Sequence, residues 1–83
     1  MKSLPLFHRV AGQPVIVLGE GPAADAKRRL VERAGGEVVT DLHRGIERGA
    51  RLAFVATDDQ AEAEAAVVRL HWAGTRVNVA DRP

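Results

Sequence analysis

The sequence contains no cysteine and no tyrosine, and only one tryptophan, one methionine and two phenylalanines. Without thiols there can be no disulfide, no thiolate nucleophile and no thiolate metal site. The three histidines, His8, His43 and His71, share no metal-ligand spacing, so none reads as a metal ligand. Neither sign of charge dominates. The formal net charge is +1, and the longest basic run, Lys27-Arg28-Arg29, reads as the solvated face of a helix. A nucleic-acid partner therefore has no support. No apolar run reaches transmembrane length, and the opening Met1-Lys2-Ser3-Leu4-Pro5 lacks an apolar signal core, so no membrane association and a cytoplasmic location are expected. Repeats, linkers and low-complexity tracts are also missing.

What remains is a chain of 83 residues, 46% hydrophobic and 28% charged. That composition fits one small globular domain with a modest core.

The most informative stretch is Val15-Ile16-Val17-Leu18-Gly19-Glu20-Gly21-Pro22-Ala23-Ala24. A short β-rich run breaks into Gly-x-Gly-x-x-Ala and then into a helix-forming segment, the order a dinucleotide-binding βα turn requires. Gly19 allows the tight turn. Gly21, with no Cβ, lets a pyrophosphate approach the backbone. Ala24 is small enough for the helix to pack near the strand. The helix start, Pro22-Ala23-Ala24, faces the phosphates with unpaired N–H groups and a positive dipole end. Glycine-bearing strand–helix turns also occur in α/β proteins that bind no nucleotide. The reading is strengthened by Asp41, about 20 positions on, where an acidic residue is expected to hold the ribose hydroxyls.

Four strands are expected, at about 14–18, 37–41, 51–57 and 75–79. Helices are expected at about 22–34 and 59–73. In the first helix, Ala23, Ala26, Leu30, Val31 and Ala34 form the apolar stripe. Asp59 caps the second, with Glu62 at capping-box spacing. Its core face is read as Ala61, Ala65, Val68 and Trp72, with Ala66, Leu70 and Ala73 beside them, and Trp72 belongs to the core. Residues 42–50 must cross from the outer strand to the far side of the first. Nine extended residues span roughly 30 Å, enough for the crossing but for little more than one helical turn, with Ile46 plugging the core. The expectation is an α/β, three-layer Rossmann-like domain: a short parallel sheet of order 2-1-3-4 with helices on both faces. Its ligand edge lies at the carboxyl ends of the first and third strands.

Leu4-Pro5-Leu6-Phe7, residues 14–27, Ala56-Thr57-Asp58-Asp59 and Asn78-Val79-Ala80-Asp81-Arg82-Pro83 occur in an order that resembles the N-terminal domain of siroheme synthase, the precorrin-2 dehydrogenase/sirohydrochlorin ferrochelatase family. Gly19, Gly21, Ala24 and Lys27 match the family's loop pattern; Glu20, Ala23 and Ala26 depart from it. Glu20 would repel a pyrophosphate unless its side chain points to solvent. The link 42–50 is shorter than the family's. Family members also continue beyond the point matching Pro83 into a dimerisation segment and a tail.

The resemblance implies NAD as cofactor, precorrin-2 and sirohydrochlorin as tetrapyrrole substrates, and Fe2+ insertion in a longer, homodimeric protein. It makes Asp81 the general base, since a carboxylate suits both proton abstraction and relay of pyrrole protons; as a plain alternative, Asp-x-Pro is a common turn. Cofactor contacts fall to Gly19, Gly21, Pro22, Ala23, Ala24, Asp41, His43, Thr57 and Asn78. Asn78 would meet the nicotinamide or hold its loop, and Thr57 would meet the nicotinamide ribose. His43 and Arg44 would flank the adenine. Arg44 keeps NADP open, but Asp41 would repel a 2′-phosphate, which favours NAD. The rival readings are a nucleotide-sensing module without chemistry and a structural domain whose loop has lost its ligand.

Overall fold

The computed structural model describes residues 10–79, and Pro14–Leu18 forms its first strand, β1. Val15, Ile16 and Val17 are all but completely buried, as β-branched residues are in a strand covered on both faces. Six further elements follow: α1 (Pro22–Arg33), β2 (Glu37–Val39), α2 (Leu42–Glu47), β3 (Leu52–Val55), α3 (Gln60–Trp72) and β4 (Arg76–Val79). The strands pair in parallel in the order β2-β1-β3-β4, as expected from the pattern and right-handed crossovers.

Side chains alternate across the sheet and separate two cores. On one face Val15, Val17, Phe54 and Ala56 pack with Ala24 and Val31 of α1. On the other, Ile16, Ala53 and Val55 pack with Ala63 and Leu70 of α3, joined by Leu42 and Ile46 of α2. The domain is thus a three-layer α/β/α sandwich, with α1 on one side and α2 and α3 on the other.

Several boundaries and faces differ from the sequence expectation. Strand β2 ends at Val39, because Asp41 leaves the sheet to cap α2. The link 42–50 holds a six-residue helix, Leu42–Glu47, that starts as soon as β2 and the cap residue end. Ile46 is only half-buried there; the buried residue of α2 is Gly45. In α1 the sheet-facing residues are Ala24 and Val31, with Leu30 and Ala34 packed beside them, whereas Ala23 and Ala26 are exposed. In α3 the buried residues are Ala63, Ala66 and Leu70. Ala61, Ala65 and Val68 face solvent, and Trp72 is 83% exposed. Trp72 is therefore not a core residue. Helix α3 carries two apolar flanks, Ala61-Ala65-Val68-Trp72 and Ala63-Ala66-Leu70, so the one that meets β3 and β4 is set by the sheet, not by the spacing alone.

Leu4, Leu6, Phe7 and Asp81 lie outside the described residues. Among those described, no helix is long and apolar enough to cross a membrane.

Candidate functional site

Because all four strands are parallel, the ends of β1, β2, β3 and β4 at Leu18, Val39, Val55 and Val79 share one edge of the sheet. The glycine turn sits at this edge, between β1 and β3. Gly19 has φ +113°, and a Cβ there would lie 2.5 Å from the Ala56 carbonyl carbon and 2.7 Å from the Thr57 nitrogen. The backbone of the turn thus rests on the backbone leaving β3, which is held in place as the Ala56 N–H donates to the Leu18 carbonyl at 2.8 Å. Gly21 differs. Its φ of 97° and ψ of −175° belong to a region that only glycine occupies readily, yet a Cβ there would meet no described atom within 4 Å. Gly19 is a glycine because protein lies against it; Gly21 faces open space among the described residues.

Helix α1 begins at once, with Pro22 in its first position and no side chain capping its N-terminus. Pro22 has no N–H to leave unpaired. The Asp25 N–H makes the first helical bond, to the Gly21 carbonyl, so the Ala23 and Ala24 N–H groups precede the helical ladder. Ala24 is fully buried, which brings the helix close to the sheet. Glu20 is exposed.

The basic run 27–29 is not simply a solvated face. Lys27 is half-buried and places its Nζ 5.3 Å from the centre of the Phe54 ring. Arg28 is half-buried too. Its Nη2 donates to the Gly19 carbonyl and its Nη1 to Asp25 Oδ1, both at 2.7 Å. Only Arg29 is exposed. Arg28 was the residue to find from spacing: Ala24, Arg28 and Val31 recur at i, i+4 and i+7 on the sheet-facing stripe, and helical side chains lean toward the N-terminus, here toward the turn.

At the end of β2, Asp41 is the N-cap of α2, and its Oδ1 accepts from the Arg44 N–H at 2.9 Å. Oδ2 makes no hydrogen bond among the described residues. His43 and Arg44 follow in the first turn of α2, both exposed. His43 Nε2 lies 3.5 Å from Glu47 Oε2.

At the end of β3, Thr57 Oγ1 donates to Glu62 Oε1 at 2.9 Å, and Asp59 Oδ1 accepts from the Glu62 N–H at 3.0 Å. Asp59 is a helix cap, as its position implied. Glu62 reaches back to Thr57 instead of completing a reciprocal box. Asn78 lies on the edge strand β4, in register with Phe54, and is exposed.

The turn suits a dinucleotide pyrophosphate on structural grounds: a bend fixed against β3, a glycine open on its outer side, and helical N–H groups just beyond it. A cavity of about 780 Å³ lies elsewhere, at the amino ends of the strands, lined by Val10, Gln13, Pro14, Arg51 and Arg76 among others. The displaced ionisation equilibria are also remote from the turn. Arg48 forms a paired hydrogen bond with Glu37, at the start of β2, which holds the Glu37 carboxyl below its usual range and raises the guanidinium. No group of three or more His, Cys, Asp or Glu able to hold a metal ion occurs among the described residues.

A glycine turn at the switch point of a parallel 2-1-3-4 sheet defines a Rossmann-like α/β domain. Its relatives are more specific. The chain is 33% identical along its whole length to the siroheme synthase of Stutzerimonas stutzeri and 35% identical to that of Pseudomonas aeruginosa, covering 23% of each. A 38-residue stretch is 47% identical to the siroheme synthase of Ectopseudomonas mendocina. No family model matches the chain. The protein is a siroheme synthase-like domain, spanning about a quarter of the length of those relatives. The Stutzerimonas alignment runs over 106 positions against 83 residues, so 23 of its positions have no counterpart here.

Proposed function

We propose that this domain binds NAD at the Gly19–Ala24 turn and serves the oxidation of precorrin-2 to sirohydrochlorin, with Fe2+ insertion to siroheme as a further activity of the longer protein. The observation that carries the reading is the contrast within the turn: Gly19 is closed against Ala56 and Thr57, while Gly21 is open. That asymmetry is expected of a backbone shaped to receive a phosphate group rather than merely to reverse the chain. The relatives' name supports the tetrapyrrole part.

In this reading the Ala23 and Ala24 N–H groups hold the pyrophosphate, with Gly21 and Pro22 beneath it. Asp41 accepts the ribose hydroxyls through Oδ2 while Oδ1 caps α2. That geometry favours NAD over NADP, because a 2′-phosphate would face the carboxylate. His43 and Arg44 border the adenine, and Thr57 and Asn78 border the nicotinamide half. NAD, when bound, supplies a hydride acceptor. The chain's own chemical contribution is Asp81, which would take the proton that leaves the tetrapyrrole carbon as hydride departs, and would relay pyrrole protons as Fe2+, a substrate here, enters. Homodimerisation would belong to the segment that family members carry beyond this portion.

Isothermal titration with NAD and NADP tests the cofactor. Binding is expected for NAD, more weakly for NADP; no heat at millimolar NAD would refute the reading. In a longer protein carrying this domain, Asp81→Ala should keep NAD binding and lower both precorrin-2 oxidation and iron insertion by about 10²–10⁴-fold. Full activity would remove Asp81 from the mechanism, and NAD binding without any turnover in the unaltered longer protein would point instead to a sensing module.

A further inference from the structure

We propose that Arg28 is the positioning residue of the glycine turn: from the middle of α1 it holds Gly19-Glu20-Gly21 in its open shape before any ligand arrives.

Three observations carry this. The Gly19 carbonyl, at a residue whose φ of +113° no side-chain-bearing residue readily adopts, accepts a 2.7 Å hydrogen bond from Arg28 Nη2. Arg28 does not reach it as a loose surface chain. Its other terminal nitrogen is fixed at 2.7 Å by Asp25, and its side chain is only 26% exposed. A planar guanidinium held at two points fixes the direction of both bonds, which an ammonium cannot do. Finally, among the described residues the turn has no other side-chain brace: no side chain caps the N-terminus of α1, and a Cβ at Gly21 would meet no described atom within 4 Å. Backbone contact with Ala56 supports the turn at one end; Arg28 supports it from the helix side.

Glu20 is exposed and the Arg28 charge is paired with Asp25 at 2.7 Å, so what Arg28 gives an incoming diphosphate is the shape of the turn rather than a free charge. The ligand half of this inference rests on the NAD reading; the positioning half does not.

The test compares 15N-labelled wild type with Arg28→Lys, Arg28→Gln and Asp25→Asn, first without ligand and then titrated with NAD and with ADP. Without ligand, Arg28→Gln should raise the backbone mobility and amide exchange of residues 19–21 while the amides of Val15–Val17 keep their native shifts. Arg28→Lys should fall between Arg28→Gln and wild type, and Asp25→Asn should loosen the turn less than Arg28→Gln. In the titrations, Arg28→Gln should weaken NAD and ADP by about tenfold, the loss expected for one hydrogen bond to a charged group. A turn as rigid in Arg28→Gln as in wild type overturns the proposal, whatever binds. Equal NAD affinity in the two overturns its ligand half. A wild type that binds neither nucleotide, with a turn that still loosens in Arg28→Gln, refutes the NAD reading and upholds the positioning role.

Discussion

Gly45 lies against Ile16 so closely that a Cβ at position 45 would overlap the Ile16 side chain. Ile16 is wholly buried in β1, and Gly45 is the buried residue of α2. The missing side chain lets a six-residue helix lie directly on the central strand, so the short crossing between β2 and β3 still covers its share of the sheet. Gly45→Val should therefore lower unfolding stability by about 1–3 kcal/mol, the usual cost of overpacking a core. Gly45→Ala should cost less, since alanine returns about 1 kcal/mol of helix propensity. Urea unfolding followed by far-ultraviolet circular dichroism measures both, and an unchanged midpoint for valine would mean that Ile16 can turn aside freely.

The two glycines of the turn should respond differently. Gly21→Ala carries backbone strain of about 1–3 kcal/mol but no clash. Gly19→Ala carries similar strain and also drives a methyl into the Ala56 backbone, so its loss of stability should be clearly larger. For NAD the ranking reverses in meaning: Gly21→Val should remain folded and lose binding, because its branched side chain occupies the open space. Equal destabilisation of the two alanine variants would show that the chain after β3 yields to Gly19.

Asp41 caps α2, and one substitution can separate that task from the ribose contact proposed for it. Asp41→Ala removes the α2 cap and should cost about 0.5–2 kcal/mol. Asp41→Asn keeps a capping oxygen and removes the charge, so stability should stay near wild type while the preference for NAD over NADP narrows. A preference unchanged in Asp41→Asn would show that the carboxylate does not meet the ribose.

The Glu37–Arg48 pair predicts a pH dependence. Arg48 lowers the Glu37 pKa from its ordinary 4.5 in the folded chain, so the folded state holds the proton less tightly than the unfolded state. The pair's contribution is then present above about pH 4.5 and fades as pH falls through the lowered value. Both side chains are solvent-facing, so the effect should be small and weaker in high salt. Comparing melting temperatures of wild type and Arg48→Gln across this range should show a gap that closes in acid; a gap that widens in acid would contradict the assignment.

The sheet was legible because Val15-Ile16-Val17 and the apolar run at Ala53–Val55 leave little choice but buried parallel strands, and Gly-x-Gly marks where the first must end. The helix faces were less so. In α3, Ala61, Ala65, Val68 and Trp72 repeat as regularly as Ala63, Ala66 and Leu70, and periodicity cannot choose between two apolar flanks. The length of β2 depended on a competition between sheet pairing and helix capping at Asp41, which helix α2 won. Within the candidate site, the two glycines of the turn could be read from spacing; the capping position of Asp41 could not, because the same residue also continues the extended run of β2. The brace from Arg28 could not be read from charge runs, because a basic triplet looks solvated until the one member sharing a stripe with Ala24 and Val31 is singled out.

Trp72, the sole tryptophan in a chain without tyrosine, ends α3 with 83% of its surface in water. An indole so exposed should emit as a hydrated one in the native state, so unfolding should change its colour little and intrinsic fluorescence should give only a small unfolding signal. It also lies at the opposite end of the sheet from the glycine turn, since α3 runs antiparallel to the strands it covers, and a nucleotide at Gly21 will not quench it by contact. The domain's natural chromophore should be nearly blind both to its folding and to a nucleotide at the turn, and should report instead on whatever approaches the far end of α3.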